Sequence, residues 1–112
     1  MEESILLSTK KLVNMAGDYD EFDTDLIIHI NTVFMILRQL GVGPVEGFTI
    51  KDESAKWSDF IPADDIRFEG VKTYMALKTR LVFDPPSSSI IKACIDESIK
   101  ELESRLNYEA DY

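Results

Sequence analysis

The chain is poor in cysteine and histidine, with one of each, Cys94 and His29, in 112 residues. A lone cysteine cannot close an internal disulfide, and one histidine beside it leaves no Cys/His set for zinc. That usage fits a reducing compartment. Basic residues are outnumbered, 12 Lys+Arg against 21 Asp+Glu, for a net charge of −9. The balance argues against a basic face for nucleic acid and against docking on an anionic membrane. Long apolar runs are also missing. The longest uncharged stretch, 26–37, contains His29, Asn31 and Thr32, and it falls short of the ~20 apolar residues of a bilayer span. The start, Met1-Glu2-Glu3-Ser4, lacks the positive charge of a signal peptide. A soluble chain is expected.

What is present is an ordinary globular mixture, 45% hydrophobic and 29% charged. This length makes one domain, 1–112, and buries roughly two-thirds of the surface of the unfolded chain. Apolar spacing predicts an all-α, four-helix bundle-like fold. The first helix covers about 4–15, with Ser4 as its cap. The second covers 24–40, capped by Asp23 and stopped by Gly41, Gly43 and Pro44. The third covers 64–82, with Gly70 weakening it enough to set its first turn apart. Asp84-Pro85-Pro86 must then turn the chain, because a residue before proline avoids the helical region. The fourth helix covers 87–107, with Ser87, Ser88 and Ser89 as alternative caps. Ile91, Ile95, Leu102 and Leu106 form its line, with Ile90, Cys94 and Ile99 beside it. At about 31 Å it is long enough for its ends to project from the bundle. Asp96 with Lys100 and Glu101 with Arg105 have the spacing of favourable pairs on its wet face. Residues 41–63 have no helical period and read as an irregular loop or small hairpin, with 48–50 and 56–58 as its candidate strands. Tail residues 108–112 read as loose and acidic.

No catalytic or metal motif emerges. An EF-hand frame from Asp18 has Asp23 where glycine belongs and His29 where the closing glutamate belongs. Those acids read better as a loop and a helix cap. His29 lies just off the apolar stripe and is expected to pack at a helix edge. Cys94, among isoleucines, is expected to be a small buried hydrophobe. There is no nucleophile elbow and no phosphate-binding glycine loop. No enzyme activity and no cofactor are expected. Trp57 and Phe60 stand in a polar part of the 41–63 segment, with Phe48 nearby. They either plug the end of the bundle or anchor a partner, as aromatic residues often do at interfaces.

The run 71–89, which includes Phe83-Asp84-Pro85-Pro86-Ser87, resembles the head–tail connector family of long-tailed double-stranded-DNA bacteriophages. The end Glu101-Leu102-Glu103-Ser104-Arg105-Leu106-Asn107 is similar to that family's closing helix. Gly41-Val42-Gly43-Pro44 and Trp57-Ser58-Asp59-Phe60 also fit its pattern. The resemblance spans about 22–107. It implies a structural head-completion adaptor in the virion neck, assembled in the host bacterial cytoplasm. Such subunits form a homo-oligomeric ring of about twelve members that closes by rotation through a head-to-tail interface. The ring sits on the portal protein, extends the DNA channel without reading sequence, and receives a neck or tail completion protein. An acidic channel wall would repel phosphates and not retard the genome. On this reading Trp57, Phe60 and Phe48 are candidate interface residues, and Asp84, Pro85 and Pro86 form a structural corner between the third and fourth helices. The alternative is a small acidic helical binding module, a regulator or assembly chaperone that acts as monomer or dimer. A helical enzyme comes third.

Overall fold

Among the described residues five helices form, four of them where the apolar spacing asks for one and one in addition. The computed structural model describes residues 4–13, 20–83 and 85–110. Its helices are α1 Ile5–Leu12, α2 Asp23–Gln39, α3 Trp57–Phe60, α4 Phe68–Phe83 and α5 Ser89–Ala110. The all-α expectation holds. No helix among the described residues is long and apolar enough to cross a membrane.

Ser4 caps α1 as expected, accepting from the Leu7 backbone N–H at 3.3 Å. Asp23 does not cap α2. It is the first helical residue, and its carboxylate receives Lys10 Nζ at 2.8 Å. Burying the Lys10 side chain leaves its ammonium in need of an anion, and this use outweighs capping. The pair ties the start of α2 to α1. The residues expected to end the first helix lie outside those described.

The third predicted helix starts late, at Phe68 and not near 64. Asp65 explains the delay. Its carboxylate accepts from the backbone N–H and the guanidinium of Arg67, at 2.8 and 2.9 Å. This local turn competes with helical bonding. Ser88 serves as the cap of α5, accepting from the Ile91 N–H at 3.3 Å. Glu101 pairs with Arg105 as the spacing predicts, but Asp96 takes Lys92 and not Lys100.

Two pairs show that α4 and α5 run antiparallel. Tyr74 Oη donates to Glu103 at 2.6 Å, and a Cβ on Gly70 would lie 3.5 Å from Leu106 Cδ2. The common core draws on every described helix, with Ile5, Leu26, Phe34, Trp57, Tyr74 and Ile99 among its members. Each such side chain contributes about 1.5–3 kcal/mol by leaving water.

The 41–63 segment is neither a hairpin nor a free loop. Its only β-type pairing among the described residues is an isolated bridge between Lys56 and Ser4. The expected strand at 56–58 is instead the start of the one-turn α3, which the Asp59 carboxylate closes by accepting from the Lys56 N–H at 2.9 Å. The expected strand at 48–50 has no ladder partner among the described residues. The Asn31 side chain holds Ile50 there, accepting from its N–H at 2.7 Å and donating to its carbonyl at 3.1 Å. Arg38 Nε donates to the Val45 carbonyl at 2.8 Å. Both backbone groups of Ile50 and the Val45 carbonyl are thus satisfied by α2 side chains, where a sheet neighbour would otherwise be needed.

Candidate interaction surface

The three aromatic candidates converge, but inside the chain. Phe60 lies 4.5 Å from Phe34 and 5.3 Å from Phe48 between ring centroids, and Trp57 lies 6.3 Å from Phe34. Trp57 is 1% exposed, Phe60 is buried and Phe48 is partly buried. In the free chain Trp57 and Phe60 are therefore covered by the chain's own residues. Physically, α3 turns the indole inward, and its Nε1–H donates to Ser8 Oγ at 2.8 Å. The tryptophan so satisfied has no polar edge left to present. The plug reading fits this geometry.

Gly43 makes that packing possible. Its φ is +90°, and a Cβ there would collide with the Phe60 ring. Both the left-handed backbone and the close approach require glycine.

The expected corner lies between the end of α4 at Phe83 and the start of α5 at Ser89. Pro85 is exposed and Pro86 half-buried. Asp84 lies outside the described residues. His29, at the α2 edge, meets Phe83 edge-on at 5.7 Å. Burial lowers its pKa below the usual 6.5, the nearby Lys78 charge lowers it further, and a hydrogen bond with the Lys78 backbone opposes the shift. Tyr74 titrates well above its usual value, because burial and the adjacent Glu103 carboxylate both disfavour the phenolate. Asp65 titrates below the usual range, held there chiefly by its hydrogen bond from Arg67. These are structural ties.

Part of the exposed apolar surface lies on the α4–α5 hairpin. The apolar line of α5 enters the core only from Ile95 onward. Ile90 is 75% exposed, Ile91 48%, and Val82 at the end of α4 60%. Cys94 is exposed as well, contrary to its expected burial, because it lies on the side of α5 away from Ile95 and Ile99. Ile90, Ala93, Cys94 and Glu97 share this face. At the other end of the hairpin a groove of about 510 Å³ opens between the start of α4 and the C-terminal half of α5. Ile66, Gly70, Leu102 and Leu106 line it, with Arg67 and Arg105 alongside. Nothing in the periodicity pointed to this groove. Ile66 lies outside α4, and Gly70 acts through the side chain it lacks.

The model of one protein family, described as phage connector protein, matches residues 5–112. No curated protein and no solved structure gives a match.

Proposed function

The chain belongs to the phage connector protein family and serves the head–tail junction of a phage, and we propose that it does so as one subunit of a ring seated on the portal. The family is a structural one, and its place is the virion neck. In this reading the ring has about a dozen subunits, assembles in the host cytoplasm, continues the DNA channel, and presents its far face to a neck or tail completion protein. DNA passes through without being read by sequence.

The observation that carries the proposal is the uncovered apolar start of α5. Ile90, Ile91 and Val82, close to the turn between α4 and α5, are each about half exposed or more, which leaves apolar surface there for a neighbouring subunit to cover. The Pro85-Pro86 turn sets the direction in which this surface projects, so the corner acts on assembly through geometry. The net charge of −9 suits a channel wall that does not retain DNA.

Native mass, measured on the protein alone and then with its portal, tests this, with negative-stain images of any large species. A closed ring in either sample is the expected result. A chain that stays monomeric or dimeric and never joins the portal would overturn the proposal in favour of the acidic binding module.

A further inference from the structure

Between Leu26 and Leu37, α2 carries no Asp, Glu, Lys or Arg, on its outer face as well as on its core face. Leu26, Ile30, Val33 and Leu37 are buried. Ile28, Thr32 and Met35 follow one another turn by turn on the opposite side. Ile28 is 60% exposed and Met35 52%. Thr32, between them, uses its hydroxyl inside the helix, where Oγ1 donates to the Ile28 carbonyl at 3.0 Å. The donor on this face is therefore satisfied within the chain. The wet face of α5 is a contrast, with Lys92, Glu97, Lys100, Glu101 and Arg105 all exposed.

Charge returns at the two ends of the α2 face, with opposite sign. Exposed Asp25 lies at its start and exposed Arg38 at its end, about 20 Å apart along the axis. Neither makes an ion pair among the described residues. Arg38 gives its Nε–H to the Val45 carbonyl, which leaves the terminal guanidinium nitrogens for a carboxylate. The order Asp25, Ile28, Met35, Arg38 is also symmetrical about its middle. Turned end for end, it sets Ile28 opposite Met35 and brings Asp25 to the end that Arg38 occupies. A second copy of the chain, laid antiparallel, has that order. Two chains of net −9 repel one another. They approach most easily where the facing strips are uncharged and the charges at the rim differ in sign.

We propose that free chains pair through the outer faces of α2, antiparallel about a two-fold axis, with Ile28 of each packed on Met35 of the other. Thr32 lies near the axis, and Asp25 of one chain flanks Arg38 of the other. Such a contact uses the same patch on both chains and stops at two. It is separate from the heterologous contact that closes a ring, and it describes the subunit before it reaches the portal. The strip is narrow, toward the low end of specific interfaces, so the pair is reversible and fills as concentration rises.

Sedimentation velocity of the chain alone, in reductant and from micromolar to millimolar concentration, tests the pairing. The expected mass rises from 12.8 kDa toward twice that value. Met35→Glu and Ile28→Lys, both at exposed positions, each place a charge in the strip of both partners at once and should weaken pairing about tenfold. Mixed together, the two variants should pair again, because the two-fold arrangement sets the new carboxylate of one against the new ammonium of the other. Thr32→Cys combined with Cys94→Ser should give a disulfide-linked dimer on mild oxidation. A parent chain that stays monomeric over the whole range would overturn the proposal. So would a Met35→Glu chain, folded by circular dichroism, that associates as the parent does. Failure of the mixture to recover would overturn the antiparallel arrangement. A monomeric parent whose Met35→Glu variant no longer assembles on the portal would give the face to the assembled neck instead. Ring formation with the portal is read separately by negative stain, so the loss of either reading leaves the other standing.

Discussion

The side-chain amide of Asn31, on α2, takes both backbone groups of Ile50, accepting its N–H at 2.7 Å and donating to its carbonyl at 3.1 Å. A sheet neighbour would offer the same two bonds, and here one side chain supplies them. The buried Ile50 side chain is thereby held against the core beside α2. Asn31→Ala should cost about 1–3 kcal/mol, because it leaves two backbone groups without partners. Chemical denaturation would measure the loss, and faster amide exchange around residue 50 would locate it. Asn31→Asp should fare little better, since a carboxylate cannot donate to the carbonyl.

Gly43 and Phe60 are coupled by space. Gly43→Ala places a Cβ in the Phe60 ring and forces a side chain onto a backbone at φ +90°. A loss of about 1–3 kcal/mol is expected. Phe60→Leu in the same chain should recover only the steric part, so the double variant should remain less stable than Phe60→Leu alone. Thermal unfolding of the three variants would show it.

Trp57 should behave as a core residue. Trp57→Ala is expected to cost about 3–5 kcal/mol, and Trp57→Phe much less, chiefly through the lost hydrogen bond to Ser8. Folded Trp57→Phe protein should still assemble on the portal as the parent does. A variant of normal stability that fails to assemble would return Trp57 to the interface.

His29 gives the fold an acid sensitivity of known sign. Its folded pKa lies below the unfolded 6.5, so the unfolded chain binds more protons as pH falls through that value, and stability declines. Denaturation midpoints should therefore drop between neutral pH and the folded pKa of His29, and His29→Gln should flatten that slope. Asp65, with its pKa lowered in the fold, contributes stability that persists above its ordinary 3.8 and is lost as pH falls through its lower folded value.

The Pro85-Pro86 turn is expected to act on assembly more than on folding. Replacing both prolines with alanine frees the link between α4 and α5, while the Tyr74–Glu103 bond at 2.6 Å still holds the helices together. Ring yield should fall severalfold, while stability falls only by the roughly 0.4–1 kcal/mol per proline that the freer unfolded chain costs. Normal yield would sink this role for the corner.

The helices and their order were legible in the sequence because they depend on local terms: the apolar spacing of Leu26, Ile30, Val33 and Leu37, the cap at Ser4, the glycines after α2, and the prolines after Phe83. A residue's helical face follows from its neighbours a turn away. Membership of the connector family rests on sequence too, since the family match spans residues 5–112. Tertiary structure decided the rest. Whether Trp57 faced a partner or the core depended on Ser8, 49 residues away in sequence, and no local pattern reports such a contact. Asp23 could cap a helix or neutralise a buried lysine, and the burial of Lys10 decided between them. The line of α5 promised the same environment to Ile90 and Ile95, but packing covers only the second. Periodicity names the apolar face of a helix and not how far along it the neighbours reach. That length is set by the three-dimensional arrangement of the packed helices, and it leaves the start of α5 uncovered.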